Sequence, residues 1–329
     1  MRFFVIFLLI ACNSTDKSIL IKNTGKAQGS FYHIKYISKL GVDYHNNIDS
    51  ILISIDNSLS IYNPNSLISE LNNQSKIKPD KFLKDVFLSA KQIHTETNGL
   101  FDCSVYPIVD LWGFYKKSFS DSISIDSSEV ANLLKYVGFD KIDIQDDSLQ
   151  LLSGMSLDFN SIAQGYTIDV IANFLFNKGV DDFLIELGGE VLAKGNNINN
   201  KRWVVGVDKP TEVINKDNRF QFILNLEDKA LATSGNYRNY YILDNIKYAH
   251  TINPSTGFPA KNRLLSVTVL HDDCMLADAY ATAFMVMGVD KTQKFIKERD
   301  DIDVYLIYTD NNNNWKFFLT SGIEKLIIN

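Results

Sequence analysis

Stretches that alternate apolar and polar residues recur along the chain without taking regular turns with helical stretches, and this irregular order most limits the fold. Residues 30–36, Ser-Phe-Tyr-His-Ile-Lys-Tyr, alternate as a half-buried strand does, and strands are predicted again over 141–144, 149–152, 155–159, 182–187, 203–207, 220–226, 240–243, 246–251, 264–270, 304–308 and 315–319. Apolar residues at helical spacing predict helices over 48–59, 82–95, 129–137, 162–177, 275–287 and 291–298, with Asp80 capping the second. A strict strand-helix repeat would build a parallel sheet. Its absence predicts an α+β fold with mixed or antiparallel sheets and flanking helices. At 329 residues the chain has ample material for a large core, and it shows no repeat of solenoid period.

The N-terminus bears on the compartment. Met1-Arg2 is a short basic region, residues 3–10 are an apolar run too short to span a bilayer, and Ala11 precedes Cys12. That pattern predicts a signal peptide over 1–11. Leu9-Ile-Ala-Cys12 resembles the lipobox of bacterial lipoproteins, which makes Cys12 a lipidation site, 12–24 a polar tether and 25–329 the folded domain. The expected location is outside the cytoplasm, anchored by lipid to a bacterial membrane and facing the periplasm. A formal charge of -6 offers no broad phosphate-neutralising surface, so nucleic acid is not an expected partner. Cys103 and Cys274 are read as small core residues, although export would let them pair.

Four local patterns could carry chemistry. Leu187-Gly-Gly-Glu190 follows a predicted strand, where glycines serve either a plain turn or the close approach of a ligand to Gly189. Asp158-Phe-Asn-Ser-Ile-Ala-Gln-Gly-Tyr-Thr-Ile-Asp169 runs into a helix whose free N–H groups suit an anion; Asp158 and Ser161 could equally cap it, and Gly165 could serve helix packing. Asp278 and Thr282, four residues apart on one helix face, offer hard oxygen ligands to magnesium or bond to each other. Thr233-Ser-Gly-Asn-Tyr237 and His250-Thr-Ile-Asn-Pro-Ser-Thr-Gly-Phe-Pro-Ala260 flank a predicted hairpin, which could bring Ser234 and His250 to one cleft. Dinucleotide and phosphate-loop glycine fingerprints, a zinc-ligand cluster and a G-x-S-x-G elbow are all missing from the sequence.

Taken together and in order, these segments resemble the ApbE family of FAD:protein FMN transferases. Gln28-Gly-Ser30, Leu59 to Ser66, Asn98 to Asp102 and Leu111-Trp-Gly-Phe114 join the patterns above, so the resemblance spans nearly the whole chain after the signal. It implies a Mg2+-dependent enzyme that takes FAD as substrate, moves its FMN half to a threonine hydroxyl of a target protein and releases AMP. The target would be a subunit of a membrane electron-transfer complex. The resemblance places Mg2+ on Asp278 and Thr282 with a backbone carbonyl at Ser161, a ring of FAD on Tyr62, and the FAD cleft along Leu100, Phe101, Asp102, Asp158, Gln28, Gln164, Gly189 and Ser234. His250 would sit at the pyrophosphate, as hydrogen-bond partner or general base. Gln164 and Gln28 stand where many relatives have lysine and methionine, and Asn253 where many have aspartate. The same cleft would serve an FAD pyrophosphatase that yields FMN and AMP, and a periplasmic flavin-binding lipoprotein without turnover is the alternative from another class.

Overall fold

A computed structural model describes residues 18–115, 125–211, 219–236, 240–243, 246–249 and 251–328. Eight strands form its main sheet and lie there in chain order: β1 (Ile19–Ala27), β2 (Ser30–Ser38), β3 (Phe183–Leu187), β4 (Glu190–Lys194), β5 (Lys229–Gly235), β6 (Leu264–His271), β7 (Asp303–Thr309) and β8 (Trp315–Leu319). Every neighbouring pair is antiparallel, so the choice left open by the sequence falls to the antiparallel side.

Helices cover one face. α1 (His45–Leu59), α2 (Lys81–Glu96), α3 (Ala163–Asn177) and α4 (Cys274–Met287) bury apolar stripes there, among them Ile55, Phe87, Ile168 and Phe284. The opposite face of β4 to β7 is covered by a smaller sheet of Trp203–Asp208, Phe220–Leu226 and Ile327–Ile328, through Trp203, Leu224, Leu231 and Ile307. The sheet is thus apolar on both sides through its centre, which hides strict alternation there. Among the described residues no helix is long and apolar enough to cross a membrane.

Several expectations need correction. The tether predicted over 12–24 overlaps β1, which begins at Ile19 because that segment pairs residue for residue with β2 and buries Asn23 against Asp43. Residues 155–159 are not a strand. The amide of Asn72 stands in for a neighbouring strand there, donating to the Leu157 carbonyl at 2.9 Å and accepting the Leu157 N–H at 2.8 Å. Thr233 and Ser234, read as part of a loop, end β5. Its small residues Ala230 and Ala232 lack a strand signature, yet they let α4 lie close on the sheet. Cys103 and Cys274 are both buried free thiols. The signal peptide and Cys12 lie outside the described residues.

Candidate functional site: two helices that cap each other

The turns at one end of the sheet converge on the first turn of α3. Gln28 and Gly29, with φ of 49° and 73°, make the tight turn between β1 and β2. The Gln28 side chain reaches α3 and donates from Nε2 to Thr167 Oγ1 at 2.7 Å, while Gln164 Nε2 lies 3.5 Å from the Gln28 carbonyl. Gly188, φ 70°, turns the chain between β3 and β4 directly under Gln164. A side chain on it would meet the Gln164 amide at 2.6 Å. Gly189, φ 119°, has open space where its Cβ would stand, so the backbone is bare at this point.

α3 and α4 cross at their N-termini, and each supplies a carboxylate to the other. Asp169 of α3 accepts the N–H groups of Cys274 and Met275, at 3.0 and 2.8 Å, in the first turn of α4. Asp278 of α4 accepts the Gly165 N–H, at 3.1 Å, in the first turn of α3. Gly165 permits the crossing because a Cβ there would lie 2.3 Å from the Cys274 carbonyl oxygen. The packing role open to this glycine in the sequence is therefore real, and it also aims a helix N–H at Asp278.

Asp278 is buried, and among the described residues no lysine or arginine pairs with it. Burial pushes its pKa up to about 7, against the opposing pull of the Gly165 N–H. One turn further along α4, Thr282 Oγ1 lies 3.4 Å from Ser234 Oγ, which projects from β5. The turn at Ser161 leads directly into α3, two residues before its first residue Ala163. Asp278, Thr282, Ser234, Gln164, Gln28, Gly188 and Gly189 thus gather around one crossing. The side chains of Asp278, Thr282 and Ser234 offer one carboxylate and two hydroxyls, oxygen groups whose chemistry would suit magnesium better than zinc.

A second group borders the turn before α3. Asp158 accepts from the Asn160 N–H at 2.8 Å and from the Tyr115 hydroxyl, and burial raises its pKa to about 6 against both bonds. The Tyr115 ring meets Tyr62 edge to face at 6.1 Å and Tyr106 at 5.4 Å. Tyr62 leaves most of its ring exposed, as an aromatic platform must. Tyr106 and Tyr115 were not singled out from the sequence, although Tyr115 directly follows the Leu111-Trp-Gly-Phe114 run.

Leu100, Phe101 and Asp102 sit differently from the expected cleft lining. Phe101 is in the core, and the Asp102 carboxylate takes the N–H groups of Ser104 and Phe139 and the Ser104 hydroxyl. Leu100 is half-buried beside them. This cluster fixes the loop that holds Asp158, whose N–H donates to the Cys103 carbonyl at 3.0 Å. His250 lies outside the described residues, so its place relative to Ser234 is not described. Within the following loop, Asn253 accepts the Ser255 N–H on its side chain and the Gly257 N–H on its carbonyl, the bonds of a turn former.

The ApbE family model matches residues 28–306. The chain belongs to the ApbE family. It is 30% identical to the FAD:protein FMN transferase of Vibrio cholerae over 98% of this chain and 96% of that protein, and 31% identical to that of Haemophilus influenzae over 92% and 90%. Its fold matches the flavin transferase ApbE from Vibrio cholerae with a TM-score of 0.83, covering 94% of this chain and 99% of that one at 30% identity. The apo flavinyl transferase ApbE of Pseudomonas stutzeri matches with a TM-score of 0.84 at 27% identity over 94% and 97%. Both structures thus share the overall fold of this chain.

Proposed function

We propose that this ApbE protein is an FAD:protein FMN transferase that moves FMN from FAD onto a threonine hydroxyl of a target protein. The near full-length similarity to proteins of that name carries the reading. In the reaction the threonine oxygen attacks the FMN phosphorus, the anhydride bond between the two phosphates breaks, and AMP leaves with that bond's electron pair. The hydroxyl proton passes to a base, a role that His250 would fill on the resemblance to the family, unless it serves only to hydrogen-bond the pyrophosphate.

The chain's own groups divide the remaining work. Tyr62, steadied by Tyr115, offers a ring of FAD a face to stack on. The bare backbone at Gly189 leaves room for the pyrophosphate, to which the amide of Gln164 would donate a hydrogen bond. Asp278 and Thr282 side chains with the Ser161 carbonyl would hold Mg2+, whose charge offsets that of the phosphates. The buried carboxylate without a basic partner among the described residues supports this, because a bound cation would offset the burial that disfavours its charged form. We place the protein outside the cytoplasm, lipid-anchored through Cys12.

Incubating the full chain with FAD, Mg2+ and a threonine-bearing acceptor tests the reading by mass spectrometry. An acceptor heavier by one FMN, in step with AMP, is expected. Free FMN with an unmodified acceptor would instead make the protein a pyrophosphatase, and intact FAD would leave it a binding protein.

A further inference from the structure

The strands of the main sheet give the molecule two unlike ends. Gln28, Gly188 and the first turn of α3 lie at one. Ile19, Ser38 and Phe183 lie at the other, joined through the pairings Ile19 with Ser38 and Tyr36 with Phe183. At this second end the loop after β2 carries Leu40, 84% exposed, and Val42, 41% exposed, beside Ile19, 49% exposed. A Cβ on Gly41 would stand 3.3 Å from Ile19 Cδ1, so the loop tip and the strand start form one surface. Single exposed apolar residues are ordinary, but here three share the spot where the chain enters the fold. Among the described residues the charges that flank this loop are engaged: Lys39 bonds Asp181 at 2.8 Å, and Asp43 accepts from Asn23 and from the His45 N–H. The patch therefore offers apolar contact more than charge.

Cys12 precedes Ser18 by six residues, and extended chain covers at most about 3.5 Å per residue, so an acyl chain on Cys12 holds the start of β1 within about 20 Å of its bilayer. We propose that Ile19, Leu40 and Val42 rest on the lipid surface, so that the FAD cleft at the opposite end of the sheet opens away from it. This rests on the lipid-anchor reading and adds to it, because a six-residue link limits distance and leaves orientation free. At about 3.3 Å per residue, β2 is about 26 Å long and sets the cleft up to that distance from the patch. The acceptor threonine then belongs to a part of the target that stands clear of the membrane.

A fluorescent probe on cysteine tests the contact. Cys103 and Cys274 are buried, so Leu40→Cys in the acylated full chain takes an environment-sensitive thiol label such as NBD at one position. On reconstitution into phosphatidylcholine vesicles the label is expected to brighten at least about twofold, shift to the blue and be quenched by brominated lipid, and raised salt should not reverse this. The same label on Lys26→Cys, about 23 Å further along β1, should not respond. Intact mass reports acylation separately. An acylated chain whose residue-40 label behaves like the residue-26 label overturns the contact and leaves the anchor standing. A chain without the acyl mass overturns the anchor, and the contact with it.

Discussion

Asp278 and Tyr280 lie two residues apart on α4 and look into opposite electrostatic worlds. Around Tyr280, Arg299 bonds Glu96 at 2.7 Å and Asp301 at 2.6 and 2.8 Å, and the Tyr280 hydroxyl donates to Glu96. Arg299 draws the Asp301 pKa down to about 2. Burial alone would raise Glu96, but the bonds from Tyr280, Gln92 and Arg299 outweigh it and lower it. On the other face burial raises Asp278, and it raises Asp169 too, which is pushed further by the neighbouring Asp273. The first cluster is a finished piece of structure that carries its own cation. The second leaves Asp278 with one helix N–H and, among the described residues, no basic side chain, as a site that receives a cation from outside would.

Substitutions should separate the two faces sharply. Asp278→Asn removes the charge and keeps the shape, so FMN transfer is expected to fall at least about a hundredfold while the melting temperature at pH 8 holds or rises. Loss of folding instead would mean that Asp278 is structural. Arg299→Met does the reverse: it strands Glu96 and should cost about 2 to 3 kcal/mol in urea unfolding, the lower value because the pair is partly exposed, with transfer per folded molecule unchanged. Gly165→Ala pushes a methyl against the Cys274 carbonyl and should cost about 2 kcal/mol, with weaker Mg2+ binding because the helix crossing opens.

A smaller effect follows from pH. The folded pKa of Asp278, about 7, exceeds its ordinary value of 3.8, so the fold keeps a proton that the unfolded chain gives up. The stability this proton supplies is complete below pH 4, is lost as pH rises towards 7, and then levels off. Mg2+ should restore it only where the carboxylate is ionised. At ten times its Kd the ion contributes about 1.4 kcal/mol, a rise of about 2 °C in Tm at pH 8, and close to none at pH 5. Equal rises at both pH values would remove Asp278 from the metal site.

Much of this was legible in the sequence, and the gaps have physical causes. The helices at 162–177 and 275–287 and most outer strands announced themselves by period, and the Asp278–Thr282 spacing placed both groups on one face. Two central strands, β4 and β5, did not, because a strand buried on both faces loses its alternation and Ala230 and Ala232 suit a helix equally well. The reciprocal caps were invisible for another reason. Asp169 and Gly165 meet α4 across more than a hundred residues, and one sequence holds no signal of that pairing. Tyr115 escaped likewise, since its partners Tyr62 and Asp158 are remote in the chain.

The central claim is that the uncompensated carboxylate on α4 is a divalent-cation site, and Mn2+ as a paramagnetic stand-in for Mg2+ reads it directly. Electron paramagnetic resonance at pH 8 should show the free Mn2+ signal falling as the wild-type protein is added and unchanged with Asp278→Asn. A signal that falls equally with both proteins would contradict the account.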